Sequence, residues 1–111
     1  VKLKLQDLIL QEKEWRLFYI KISIMQDDGF PITFSDKGVV NTKNLGSVKL
    51  WSITEDKTLN LLDDNGRIIY MLSYDKKNDL FFNKNEGMII VQKSKNFTSK
   101  DEIKYLENNK K

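Results

Sequence analysis

Seven clusters of polar, turn-forming residues interrupt the chain at intervals of about 8–12 residues. Asp, Asn and Gly favour tight turns, and this spacing is typical of an all-β sandwich or barrel. Between the clusters apolar residues alternate with period two, as they do along 20–24, 30–34 and 68–72. The clusters are DDG (27–29), SDKG (35–38), NTKNLG (41–46), TEDK (54–57), DDNG (63–66), YDKKND (74–79) and NKNEG (83–87).

Seven turns join eight strands, and the short connections make consecutive strands antiparallel. A meander of eight strands can close on itself, which removes its edges. We therefore predict an all-β fold: an eight-stranded antiparallel up-and-down β-barrel over residues 15–93. The chain has 111 residues, of which 40% are hydrophobic, so its length suits one domain. Its apolar runs are too short for a membrane helix, and no signal-peptide pattern opens it, so we expect a soluble protein with no membrane partner.

The residue types that are missing limit the chemistry. With no Cys and no His, nearly all zinc and copper sites and every Ser–His or Cys–His nucleophile pair are excluded. There is no glycine-rich phosphate loop, and the acidic pairs at 27–28 and 63–64 stand beside turn glycines, where turn formation explains them. We expect a protein that is not an enzyme, that uses no cofactor, and that has no metal site of its own.

The positive charge is concentrated in the tail. The net charge is +3, yet residues 1–92 carry 13 basic and 13 acidic side chains, whereas residues 93–111 carry six Lys and three acidic residues. We interpret residues 94–111 as a basic, solvated tail rather than a nucleic-acid site. Within it Ser99 and Glu102 fit a capping box, which predicts a short helix that either packs on the domain or frays.

Aromatic residues along the predicted strands have three possible uses: core packing, stacking on nucleic acid, or lining a ligand cavity. Phe30, Phe34, Trp51, Phe81 and Phe82 fall on alternating phases, which favours the core over a nucleic-acid platform. An eight-stranded barrel is either filled or hollow, so a lipocalin-like carrier of an apolar ligand is the alternative. The many Ile, Leu, Phe and Trp residues favour a filled barrel.

The first five residues resemble a strand without a partner. Val1, Leu3 and Leu5 alternate with Lys2 and Lys4, but no turn and second strand follow them. We divide residues 1–14 into a short extended arm and a linker in which DLIL (7–10) forms a helical turn. A frayed terminus or a ninth strand on the barrel edge would also explain this pattern.

From Trp51 the sequence reads WSITEDKTLNLLDDNGRIIYMLS, and this stretch resembles the bacterial Inh family of inhibitors of serralysin-type zinc metalloproteases. The amino-terminal layout is similar too: an arm with Leu3-Lys4-Leu5, then a strand that opens at Trp15. The resemblance covers about residues 1–93, although the turn at 55–58 is one residue longer than in the family. The residues that carry it in the second half are Trp51, Thr54, Asp56, Leu59, Leu61, Gly66 and Ser73.

The resemblance implies a periplasmic or secreted bacterial protein that forms a 1:1 complex with such a protease. Its amino-terminal arm would enter the active-site cleft, with the α-amine of Val1 on the catalytic zinc and Lys2, Leu3, Lys4 and Leu5 in contact with the protease. The family also has a disulfide, and the positions near Ile20 and Val40 are where this cysteine-free chain lacks it. Loss of such a bridge typically costs about 2–5 kcal/mol, so the core must supply more of the stability.

Overall fold

The computed structural model describes residues 4–11, 14–19, 29–43, 45–55 and 57–108. It contains eight strands, flanked by one short helix at each end of the chain. The elements are α1 (Leu5–Gln11), β1 (Trp15–Tyr19), β2 (Phe30–Phe34), β3 (Val40–Asn41), β4 (Leu50–Thr54), β5 (Thr58–Leu62), β6 (Ile68–Asp75), β7 (Leu80–Asn83), β8 (Met88–Gln92), a 3-10 turn (Lys93–Lys95) and α2 (Ser99–Asn108). Within this part of the chain no helix is long and apolar enough to cross a membrane.

The strands form one antiparallel sheet in the order β3-β2-β1-β8-β7-β6-β5-β4, in which β1 pairs with β8. The sheet curls until its two outer strands meet, where Val39 forms a bridge with Leu50. Next to this bridge Val40 N–H donates to Lys49 O over 2.9 Å, and Trp51 N–H donates to Gly38 O over 2.9 Å. The predicted eight-stranded barrel is therefore confirmed, and its closure is nearly complete.

Each predicted turn cluster separates two observed strands, because turn chemistry is local and needs no tertiary information. Gly29, the last residue of the first cluster, has φ +71°. A Cβ atom there would lie 2.8 Å from Leu17 O and 2.9 Å from the ring of Phe18. Only glycine fits this close approach at a positive φ, which explains its place at the start of β2.

The inside of the barrel is filled with side chains. At the end where β1 begins, five aromatic rings form a continuous series. Trp15 lies between Phe34 and Phe81, with ring centroids 6.3 and 5.9 Å away, and Phe34 continues to Trp51 at 5.6 Å. On the other side Phe81 continues to Tyr74 at 5.2 Å. Below the rings, aliphatic side chains such as Leu59 and Ile90 are fully buried.

A second apolar cluster lies on the outer wall of β1, β7 and β8. It consists of Phe18, Leu80, Ile89 and Val91, and the half-buried Phe82, Phe97, Tyr105 and Leu106 pack against it. The tail therefore packs on the domain, one of the two outcomes predicted for it. Phe82, predicted for the core together with Phe81, packs in this outer cluster instead of the inner core, because neighbouring residues of a strand point to opposite faces and Phe81 occupies the inner one.

Candidate functional site: the amino-terminal segment and its anchor

The segment expected to form the inhibitory arm begins outside the described residues, which include neither Val1 nor Lys2 nor Leu3. Lys4 is exposed and stands directly before α1, where its carbonyl oxygen accepts the first helical hydrogen bond from Leu8 N–H over 3.0 Å. The conformation of residues 1–3 and their contact with a protease therefore stay predictions.

Leu5 corrects the predicted extent of the arm. We expected residues 2–5 to be extended and Leu5 to be exposed, but Leu5 begins α1 and its side chain is only 6% exposed. Residues four apart share one face of a helix, so Leu5 and Ile9 enter the inner core together. The alternation that indicated a strand is overridden because these two side chains close the end of the barrel. The extended segment can thus include no more than residues 1–4.

Trp15 fixes the other end of α1. Its indole Nε1–H donates to the backbone oxygen of Ile9 over 3.0 Å, and the side chain is 1% exposed. This bond satisfies a carbonyl near the carboxyl end of the helix that the helix itself leaves free. Since Trp15 also lies in the centre of the aromatic series, the position of α1 is coupled directly to the packed interior.

A small ion network secures the chain between α1 and β1. Glu14 Oε1 lies 3.5 Å from Arg16, and its Oε2 lies 3.1 Å from Lys93 Nζ. The backbone adds to this, because Lys93 N–H donates to Glu14 O over 3.3 Å. These contacts connect the start of β1 with the end of β8. Sequence reasoning did not identify this network, since the partners are far apart in the chain and no local pattern links them.

The residues that carry the family resemblance have structural positions in the barrel. Trp51 donates its indole N–H to Ser35 O over 2.9 Å, while Leu59 and Leu61 are fully buried. Thr54 ends β4, where its Oγ1 accepts a hydrogen bond of 2.5 Å from Asn60 Nδ2. These contacts stabilise the barrel itself.

The remaining motif residues belong to hairpins. Gly66 has φ +84° and donates its N–H to Asp63 O over 3.1 Å, as the turn between β5 and β6 requires. Ser73 is exposed on β6 and pairs with Thr58 and Phe82 on the adjacent strands. Asp56 and Ile20 lie outside the described residues. Val40, the other position where the family disulfide is missing, is 5% exposed and packs in the inner core instead.

Two Tyr–Asp pairs connect the turn between β6 and β7 with its surroundings. Tyr74 Oη–H donates to Asp79 over 2.7 Å, and Tyr105 Oη–H donates from α2 to Asp75 over 2.6 Å. Burial and the bond to Asp79 raise the pKa of Tyr74 to about 12. Burial and the bond to Asp75 likewise raise the pKa of Tyr105 above its ordinary value. Both hydroxyls are thus neutral donors at physiological pH, and their role is structural.

The cap of α2 is one residue earlier than predicted. Thr98 N–H and Oγ1–H both donate to Asp101 Oδ2, over 2.9 and 3.0 Å, and Asp101 N–H donates to Thr98 Oγ1 over 3.4 Å. Ser99, predicted as the N-cap, is instead the first residue of the helix. Its side chain lies outside the described part of the chain, so a contact between Ser99 and Glu102 stays a prediction. Glu102, in the first turn of α2, is only 2% exposed.

Among the described residues no group of three or more Asp or Glu side chains is placed to hold a metal ion. Comparisons with protein-family models, with curated proteins and with solved structures found no match to this chain.

Proposed function

We propose that this protein inhibits a secreted zinc metalloprotease of the serralysin type, in a 1:1 complex, by inserting residues 1–4 into the active-site cleft. The proposal concerns the form of the chain that begins at Val1. The observation that supports it is the attachment of α1: Leu5 and Ile9 are in the core, and Trp15 binds the backbone of Ile9. A short segment that starts from a rigid body loses less conformational entropy on binding than a free peptide does.

The chemistry of the amino terminus suits a zinc ligand. A catalytic zinc of this class has three protein ligands and an open fourth position. An α-amine with a pKa of about 7.7–8.0 loses its proton more readily than a Lys side chain near 10.4. Val1 would therefore coordinate the zinc in preference to Lys2 or Lys4. No peptide bond precedes Val1 in this form, so no scissile bond lies across the metal.

The buried position of Leu5 sets the reach of the arm. Four extended residues span about 13–14 Å, so the zinc must lie within that distance of the start of α1. Residues 2–4 could pair with an edge strand of the cleft through backbone hydrogen bonds, while Leu3 occupies an apolar pocket. The proposal therefore predicts a close approach between the protease and the end of the barrel that α1 closes.

The lipocalin-like carrier is less well supported. A carrier needs an internal cavity of about 300–1,000 Å³. The five rings from Tyr74 to Trp51 and the buried aliphatic side chains occupy the interior at the α1 end instead. An apolar ligand would have to displace packed side chains, which favours the inhibitor over the carrier.

The decisive experiment compares two forms of the protein that differ only at the amine. The chain beginning at Val1 and the same chain acetylated on Val1 are each titrated into a serralysin-type protease, and hydrolysis of a fluorogenic peptide is measured. Acetylation converts the amine into an amide, whose nitrogen lone pair is delocalised and no longer binds zinc, so inhibition should weaken at least a hundredfold, which corresponds to about 2.7 kcal/mol. Equal inhibition by both forms would exclude coordination by the amine, and lack of inhibition by either form would exclude the function.

The pH dependence gives a second measure of the same mechanism. Inhibition by the free amine should weaken as the pH falls below about 7.7, because protons compete with zinc for the nitrogen. The acetylated form is the matched control, since the assay with it contains the same titrating groups of the protease but no titrating amine on the inhibitor. A pH profile that is identical for the two forms contradicts the mechanism. Denaturant unfolding of both forms verifies that acetylation leaves the barrel intact.

A further inference from the structure

Folding makes the carboxyl-terminal segment more basic at the surface than its sequence indicates. Glu102, one of its three acidic residues, is only 2% exposed. The carboxylate of Asp101 is occupied by the N–H and hydroxyl of Thr98. The side chains of Lys93, Lys95, Lys100 and Lys104 are all exposed. The four lysines are therefore at the surface, whereas one of the three acidic residues is buried and another is engaged by Thr98.

Four cations line two grooves that meet at Phe97. The first groove, of about 300 Å³, has Val91 and Phe97 beside Arg16 and Lys93. It lies where the outer wall of β1 and β8 meets the start of the carboxyl-terminal segment. Its charges come from distant parts of the chain, and its apolar side chains belong to the outer cluster.

The second groove, of about 380 Å³, also has Phe97 in its lining. Lys95, Lys104 and Tyr105 line it, and Asp101 is the acidic residue at its border. Since Phe97 lines both grooves, they are adjacent, and together they place an apolar ring beside four cations. We call this region the Phe97 surface.

The cations of the Phe97 surface are incompletely neutralised. Arg16 and Lys93 share the single carboxylate of Glu14. Lys95 lies 3.4 Å from Asp79, but its side chain remains 43% exposed. Exposed ion pairs contribute little to stability, so an incoming carboxylate can replace the partner of a lysine at small cost.

We propose that the Phe97 surface binds an extended acidic segment of a partner protein. Carboxylates of this segment contact Arg16 and Lys93 in the first groove and Lys95 and Lys104 in the second, while an apolar side chain covers Phe97. The surface includes none of residues 1–11, so the proposal is independent of the inhibitory arm and holds whether or not the arm binds a protease.

Charge and ring geometry favour a polypeptide over nucleic acid. The Phe97 ring packs edge-on against Phe18, with centroids 5.0 Å apart, and Tyr105 packs against Phe82 at 5.8 Å. Both rings are thus engaged in the outer cluster, whereas bases stack on the exposed faces of aromatic side chains. Asp101 at the border would also repel a continuous phosphate backbone, but spaced carboxylates can avoid it.

The test uses the complete protein and a labelled peptide of about eight residues, with glutamates at both ends and two central leucines, long enough to span about 26 Å. Fluorescence anisotropy should show saturable binding that weakens as salt is added. The double variant Lys95→Gln with Lys104→Gln should bind about three- to tenfold more weakly, because two charge contacts are lost. The matched control is Lys43→Gln with Lys84→Gln, which removes two exposed charges from the opposite end of the barrel and should leave the affinity unchanged.

Three results would overturn the proposal: no saturable binding, an equal loss of affinity in the control variant, or tighter binding of single-stranded DNA of equal charge. Backbone amide shifts provide a second measurement on the unmodified protein. They should change for residues 91–98 and 104–105 when the peptide is added, and changes confined to other residues would also contradict the proposed surface.

Discussion

The two helices flank the same barrel, yet they are attached to it in different ways. α1 has seven residues and inserts Leu5 and Ile9 into the inner core. α2 has ten residues but lies outside the sheet, where it contributes the half-buried Tyr105 and Leu106 to the outer cluster. The shorter helix is therefore the more deeply integrated one. Attachment depends on which side of the sheet a helix contacts, and helix length does not decide it.

This difference has a consequence for stability. The inner core cannot be complete without α1, because its side chains close the end of the barrel and Trp15 binds its backbone. The outer cluster, by contrast, lies on a wall whose strands are already paired on both sides. We expect α1 to unfold only with the barrel, and α2 to open at lower free energy as a separate unit.

The largest expected effect compares two isoleucines, one from each helix. Ile9 is fully buried, whereas Ile103 is 44% exposed. Ile9→Ala should lower the free energy of unfolding by about 2–4 kcal/mol, because it leaves a cavity in a packed interior. Ile103→Ala should change it by less than about 0.5 kcal/mol. Urea unfolding followed by tryptophan fluorescence measures both, and similar costs would contradict the difference between the helices.

An intermediate effect is expected from Tyr105→Phe. The substitution removes the hydroxyl that donates to Asp75 over 2.6 Å but keeps the ring that packs against Phe82. A hydrogen bond to a charged group contributes about 1.5–3 kcal/mol, so native-state hydrogen exchange should show that much less protection in α2. Amides of the inner strands should be unaffected. In an Asp75→Asn background the same substitution should cost less, and an equal cost would show that the bond contributes nothing.

The same contact predicts that the stability of α2 depends on pH. Burial acts to raise the pKa of Asp75, but hydrogen bonds from Asn78 and Tyr105 outweigh it and hold this pKa below the ordinary 3.8. The stabilisation is therefore complete above pH 3.8 and is lost as the pH falls through the lower pKa of the folded state. Protection of α2 should decrease in that acidic range in the unmodified protein, and the decrease should be smaller in Tyr105→Phe.

The smallest effect distinguishes two adjacent hydroxyl residues at the start of α2. Thr98 is the N-cap, so Thr98→Ala should cost about 1 kcal/mol. Ser99→Ala, one position further into the helix, should cost less than about 0.5 kcal/mol. Hydrogen exchange of the first turn of α2 and urea unfolding give the two values. If Ser99→Ala cost more than Thr98→Ala, the capping box from Ser99 to Glu102 would be the correct one.

The barrel was predictable because its signals are local. Asp, Asn and Gly favour turns wherever the chain goes, and side chains that alternate with period two fit a strand between them. These rules identified the seven turns and the antiparallel order. They could not determine which face of the sheet points inwards at Phe81 and Phe82, because adjacent aromatic residues fit either phase.

The candidate site was less predictable for the same reason. The spacing of Leu3 and Leu5 fits a strand, while that of Leu5 and Ile9 fits a helix, and both patterns are present in the sequence. The helix prevails at Leu5 because the barrel has an open end to close. At α2 two overlapping patterns, Thr98 with Asp101 and Ser99 with Glu102, both fit a capping box. The structure has the cap between Thr98 and Asp101, and Glu102 is buried.

Turn chemistry and strand alternation thus established the number of strands and their order, and the composition excluded His- and Cys-based chemistry. Tertiary packing decided how far the amino-terminal arm extends, which residue caps α2, and which charges of the carboxyl-terminal segment remain at the surface. The physical reason is the distance in sequence over which each interaction acts. A turn depends on neighbours in sequence, whereas the burial of Leu5 or Glu102 depends on which strands lie beside them, and that is settled only when the barrel closes.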